Sequence, residues 1–243
     1  MIEGISPDLP HIEDLAPAKE WGLRLSRVPV GLFLRSWWRV RVHGSQHVPA
    51  HGPVILAANH IGLLDGPALV ALTRRLTFAM AKIELFSGVG GRLLTYVGQI
   101  PVARREPDLR AIDRAVQVLR SGRVLAVFPE GRRTGGEVLE ARGGAAYLAM
   151  VSGAPVVPVA ILGTREPGQT RGGLPRRGST IHVVYGEPFT VAAAPVPWPR
   201  RRQAVAEWTE RLRARLAAHV VAAQVLTGLP LPGPPKPRPP VTG

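Results

Sequence analysis

Short apolar runs recur along the chain from position 54 onward: VILAA from Val54, TFAMA from Thr77, QIPVA from Gln99, VLAVF from Val124, VVPVAIL from Val156 and IHVVYG from Ile181. Their length and β-branched content predict strands. Helical segments are expected between them over 67–73, 85–96, 108–120 and 143–152. Near-continuous apolar strands separated by helices predict an α/β fold, a largely parallel mixed sheet flanked by helices on both faces. In such sheets, sites form where strands end and loops begin.

Before this core, residues 1–42 read as an N-terminal helical arm, containing WGLRLSRVPVGLFLRSWWRVRV. Its apolar residues, Leu23 to Leu34 with Trp37 and Trp38, are interleaved with Arg24, Arg27, Arg35, Arg39 and Arg41. A basic, aromatic-edged amphipathic segment suits a lipid interface, with arginines at head-group level. It equally suits a helix packed on its own domain with a solvated basic face. A last helix over 200–226 places Val205, Trp208, Leu212 and Leu216 at spacings of three and four, a docking stripe. Residues 43–227 form the main domain. The proline-rich tail over 228–243 is expected to be disordered or polyproline II.

Charge narrows the partners. The 243 residues carry 31 Lys+Arg against 17 Asp+Glu, a net charge of +14, and only Lys19, Lys82 and Lys236 are lysines. Guanidinium groups favour bidentate recognition of phosphate or carboxylate, so nucleic acid, an anionic membrane surface and phosphorylated substrates all fit. A nucleic-acid role is disfavoured by an aromatic content of only 5% and by the lack of a recognised motif. With no cysteine, a disulfide framework, a cysteine nucleophile and thiolate zinc sites are excluded. The acidic start lacks an apolar core, so no secretory signal is read. The longest uncharged stretch, 143–164, is broken by Gly153, Pro155 and Pro158 and reads as helix, turn and strand rather than a membrane span.

Walker, G-x-S-x-G and H-E-x-x-H patterns are absent, and GVGGRL is one glycine short of a dinucleotide fingerprint. His43, His47 and His51 are spaced by four, but Gly44, Pro49 and Gly52 place them in an exposed loop, and no metal site is expected. The informative segment is VILAANHIGLLDGPAL, where a buried strand runs into Asn59 and His60, and Asp65 stands just before Gly66-Pro67. Pro67 suits a first helical turn, capped by Asp65 or Gly66. On one helix, positions five apart differ by about 140°, so His60 and Asp65 meet only if His60 lies on the preceding loop. Such a pair suits general-base chemistry on a substrate hydroxyl, with the carboxylate fixing the tautomer. A structural histidine held by an aspartate has the same spacing.

Later strand ends carry Arg104 and Arg105 in GQIPVARR, then Glu130, Gly131, Arg132 and Arg133 in VLAVFPEGRRTGG. Glycine turns with guanidinium groups beside them make a phosphate or oxyanion subsite, with Glu130 orienting an arginine or a substrate hydroxyl. The same residues could form ordinary surface turns.

Taken together, these segments resemble the glycerolipid acyltransferases, the 1-acylglycerol-3-phosphate O-acyltransferase group. NHIGLLD resembles the family's H-x4-D signature, GQIPVARR its second block, FPEGRRT its third, F-P-E-G-T-(R/S), and VVPVAIL its fourth. ARGGAAYLA also falls where the family has a basic residue and glycine before a helix, and the blocks span 42–187 in order. The resemblance implies an acyltransferase fold with His60 as general base and Asp65 as its orienting partner. It implies substrate binding by Asn59, Arg104, Glu130, Gly131, Arg132 and Arg133, with backbone amides holding the oxyanion. The donor would be an acyl thioester, acyl-CoA or acyl-carrier protein, with no other cofactor. The acceptor would be a lysophospholipid, most simply 1-acylglycerol 3-phosphate giving phosphatidic acid. The protein would be peripheral or monotopic on the cytoplasmic face of the cell membrane, attached to an anionic surface through its arm. Arg132 stands where the family has threonine or serine, and Pro101 where an aromatic residue is common, which leaves another lipid or glycolipid acceptor open. A catalytically silent membrane-binding protein of the same fold is the remaining alternative.

Overall fold

The computed structural model describes residues 20–103, 108–191 and 201–237. The strands are β1 Arg39–His43, β2 Val54–Ala58, β3 Thr77–Lys82, β4 Ile100–Val102, β5 Val124–Val127, β6 Val156–Leu162 and β7 Thr180–Tyr185. They form one sheet in the order β1-β7-β6-β2-β5-β3-β4. All neighbours are parallel except β6 and β7, which run antiparallel with Val159 opposite Tyr185. The helices are α1 Glu20–Trp37, α2 Asp65–Leu72, α3 Gly88–Tyr96, α4 Leu109–Arg120, α5 Gly144–Ser152 and α6 Arg201–Thr227.

The apolar runs bury every residue of β2, β5 and β6 because both faces of the sheet are covered. On one face Ile55, Leu125 and Val156 pack with Leu119 of α4, Leu148 of α5 and Leu212 of α6. On the other, Leu56, Ala126 and Val157 pack with Leu34 of α1 and Leu69 and Leu72 of α2. Farther along α6, Leu216, Val220 and Ala223 cover Ala160, Leu162 and Val184. Burying such a Val or Leu stabilises by roughly 1.5–3 kcal/mol, so a one-residue register slip is strongly opposed. The stripe expected on the last helix therefore docks as read.

Three expectations change. The helical arm ends at Trp37, and Arg39–His43 is the edge strand β1, paired with β7 so that Arg39 lies opposite Thr180. RVRVH alternates with period two, and Val40 and Val42 face the core while Arg39 and Arg41 face solvent. One side of α1 does dock, through buried Leu23 and Leu34, while Leu25, Val28, Leu32 and Phe33 stay exposed. Second, the tail is an ordered strap as far as Pro237: Leu229 and Leu231 pack on the α6 cluster, and the Lys236 amide donates to the Gln169 carbonyl at 3.1 Å. Its prolines cannot make a regular ladder, so side-chain packing and isolated bonds hold it. Third, His43 belongs to β1 and stacks on His182 at 5.3 Å, and His47 bonds the Tyr185 carbonyl at 3.0 Å, so neither lies in a free loop. No cluster of three metal-ligating side chains occurs among the described residues.

Candidate active site

The candidate residues gather at the carboxyl ends of β2, β5 and β6, neighbours at the middle of the sheet. Asn59, the first residue beyond β2, is fully buried and turns its amide sideways onto β6. Its Nδ2 donates to the Ile161 carbonyl at 3.1 Å, and its Oδ1 accepts from the Ile161 amide at 2.7 Å. That side chain is expected to bind substrate, but it is committed to the backbone and instead extends the β2–β6 pairing up to His60.

His60 lies on the loop and Asp65 opens α2, the only arrangement in which this spacing brings the two together. His60 Nδ1 is 2.7 Å from Asp65 Oδ2, and the ring lies on Phe128 with centroids 4.2 Å apart. The Asp65 side chain is fully buried, whereas His60 keeps 14% of its side chain exposed. The same Oδ2 accepts the amides of Ile61 at 2.7 Å and Gly62 at 2.8 Å, and Oδ1 accepts the Thr164 hydroxyl. These donors compensate the burial of the carboxylate. Leu64, not Asp65 or Gly66, is the residue at the helix cap; Asp65 turns back to organise the loop before it. Gly62 is required here because a Cβ would stand 2.5 Å from the Thr164 carbonyl oxygen.

The β5 loop grips the other side of the histidine. Glu130 Oε1 accepts the His60 amide at 2.8 Å, Oε2 accepts the Thr134 hydroxyl, and the Thr134 amide donates to the His60 carbonyl at 2.8 Å. Glu130 therefore braces the histidine backbone rather than an arginine or a substrate hydroxyl. Burial pushes its carboxyl up to about 7, opposed by the Thr134 and His60 hydrogen bonds and reinforced by the Asp65 and Glu137 charges. Gly131 makes the turn with φ at +65°, its amide donating to the Phe128 carbonyl at 2.9 Å. The amides of Ile61, Gly62, Gly131 and Thr134 are thus committed within the fold, and an oxyanion must draw on other donors.

Arg133 is half-buried, and its Nη1 donates to the Arg171 carbonyl at 2.9 Å. Burial lowers its pKa, the Asp65 carboxylate opposes this, and Arg171 adds to it. Arg132 instead points to solvent, 3.6 Å from Glu140. Arg104 and Arg105 lie outside the described residues.

His60 Nδ1 is held by a buried carboxylate, its side chain is partly exposed, and Nε2 has no hydrogen-bond partner among the described residues. This arrangement can take a proton from a hydroxyl. A family model described as Acyltransferase matches residues 39–162, just over half of the chain's 243 residues. The chain belongs to this acyltransferase family. Among its relatives, 1-acyl-sn-glycerol-3-phosphate acyltransferase of Bacillus subtilis (strain 168) is 31% identical over 73% of this chain and 86% of its own length. An uncharacterized protein of Mycobacterium bovis is 32% identical over 55% of this chain and 40% of its own. The crystal structure of the 1-acyl-sn-glycerophosphate (LPA) acyltransferase PlsC from Thermotoga maritima matches with a TM-score of 0.57 and 26% identity, covering 80% of this chain and 79% of that one.

In the acyltransferase, His60, Asp65, Glu130 and Gly131 lie together, but Asn59 and Glu130, expected to bind substrate, bond to backbone instead, and Arg132 points to solvent. Sequence reasoning missed Thr134, Thr164 and Arg165. The first directly follows FPEGRR, one residue beyond the block's last position, and the other two follow VVPVAIL and Gly163, at a strand end where site residues are expected.

Proposed function

We propose that this enzyme transfers an acyl group from a thioester, acyl-CoA or acyl-carrier protein, to the free hydroxyl of 1-acylglycerol 3-phosphate, giving phosphatidic acid. The observation that carries the mechanism is the 2.7 Å bond from His60 Nδ1 to buried Asp65. Nε2 takes the hydroxyl proton as the oxygen attacks the thioester carbonyl. Collapse of the tetrahedral intermediate breaks the C–S bond, and the imidazolium returns its proton to the leaving sulfur. Asp65 holds the tautomer and stabilises the imidazolium. Arg104 and Arg133 supply cationic groups for the acceptor phosphate. The acceptor's name is supported by the relatives' printed activities. The enzyme would work at the cytoplasmic face of a membrane, held by α1; no described helix is long and apolar enough to cross one.

The test is a transfer assay with labelled acyl-CoA or acyl-carrier protein and a panel of 1-acylglycerol 3-phosphate, neutral lysophospholipids and glycolipids. Phosphatidic acid should be the main product, and His60→Ala should lose about 10²–10⁴ in kcat, the worth of a general base. Preferential acylation of a glycolipid would overturn the acceptor, and near-normal transfer by a folded His60→Ala variant would overturn the mechanism.

A further inference from the structure

Arg165 is among the largest side chains that are wholly buried, with 2% of its surface exposed. Its guanidinium is spread over four carbonyls: Nε donates to Ile61 at 2.7 Å, Nη1 to Gln169 at 3.3 Å, and Nη2 to Thr134 at 2.9 Å and Gly233 at 2.5 Å. These acceptors come from the loops after β2, β5 and β6 and from the C-terminal strap. One planar fork thus joins four chain segments, which a point-charge ammonium cannot match.

Two of the acceptors flank the catalytic pair. Ile61 follows His60 and gives its amide to Asp65. Thr134 gives its amide to the His60 carbonyl and its hydroxyl to Glu130, which in turn holds the His60 amide. Every backbone polar group of His60 and Ile61 is therefore engaged, and Arg165 closes the circuit on both sides. We infer that Arg165 is a positioning residue for the reaction, acting through the Ile61 and Thr134 carbonyls to fix His60 against Asp65, with the strap's Gly233 completing its coordination. The inference rests on His60 being the base.

The test uses the full chain carrying Arg165→Gln or Arg165→Lys, with folding checked by thermal unfolding. Arg165→Gln should lower kcat by about 10²-fold, the scale of a misplacement of about 1 Å, and leave acceptor KM within about twofold. Arg165→Lys keeps the charge and loses the fork, so kcat should fall about tenfold. A folded Arg165→Gln with wild-type kcat, or a loss confined to KM, overturns the inference. If Arg165→Gln fails to fold, Arg165→Lys decides it: wild-type kcat there overturns it, and the tenfold loss at unchanged KM supports it. His60→Ala in parallel separates the two claims, because activity surviving in that variant removes the base assignment itself.

Discussion

Glu130 holds a carboxylate in a place that favours its neutral form. Its value of about 7 lies above the ordinary 4.5, with burial as the main cause. The folded protein therefore binds this proton more tightly than the unfolded chain does. The stability so gained is complete below about pH 4.5 and is lost as pH rises through about 7, amounting to about 3 kcal/mol at 1.36 kcal/mol per unit. Glu130→Gln keeps an oxygen acceptor and has no proton to lose. Relative to wild type, its unfolding free energy should rise by up to about 3 kcal/mol between pH 5 and 8, read by urea denaturation at several pH values. Parallel pH dependences for the two proteins would contradict this account. The same residue shows how far the site could be read from sequence. His60 and Asp65 were legible because a histidine and a carboxylate five residues apart have few geometries in which they can meet. Glu130 and Asn59 were read as facing substrate because a polar residue at a strand end looks alike whether it turns outward or onto a neighbouring backbone. That choice is made by partners distant in sequence, Ile161 and His60. Arg165 escaped notice for a related reason: a surface charge is the default for arginine, and only four carbonyls from separate segments make its burial tolerable.

Among the elements, α4 offers the sharpest local test. Asp108 caps it, Oδ1 accepting the Ala111 amide at 3.0 Å, while Oδ2 accepts the Ala103 amide at 2.8 Å. One carboxylate thus starts the helix and ties off the strand β4 before it. Asp108→Ala removes both bonds. A lost N-cap costs about 1 kcal/mol, and the Ala103 bond about as much again. For a protein of this size each kcal/mol lowers Tm by about 2–4 °C. A fall of roughly 4–8 °C is therefore expected by calorimetry, and an unchanged Tm would show that neither bond contributes. At this scale the sequence was informative wherever an element is buried on both faces, since β2, β5 and β6 read as continuous apolar runs. It failed at β1, because Arg39 follows Arg35 at the helical spacing of four and disguises the period-two alternation. Pairing with β7, about 140 residues later, decides that segment. The strap was hidden too, as a proline-rich sequence looks the same in solution and laid against Leu216 and Val220.

For the whole molecule the question is whether a net charge of +14 serves a lipid surface. A groove of about 460 Å³ runs beside α1, with Arg24, Arg27 and Arg35 around Val28, Leu32 and Ala71. Beyond it Leu25, Phe33 and Trp37 stand exposed, and Trp21 packs edge-on against Tyr96 of α3 at 4.4 Å, next to exposed Val89 and Leu93. Apolar side chains are therefore presented together with guanidinium groups, as an interfacial helix requires. Each arginine near an anionic surface contributes about 1 kcal/mol, so three give about 10²-fold in partitioning, and screening shortens their reach from about 10 Å at 0.1 M salt to about 3 Å at 1 M. The full chain should sediment with phosphatidylglycerol-containing vesicles far more than with pure phosphatidylcholine, and high salt should largely abolish the difference. Replacing Leu32, Phe33 and Trp37 together by serine should weaken binding to both vesicle types, because it removes the apolar part and leaves the charge. Equal sedimentation on neutral and anionic vesicles would assign the charge to the acceptor site alone, and an unaffected triple variant would take α1 off the membrane.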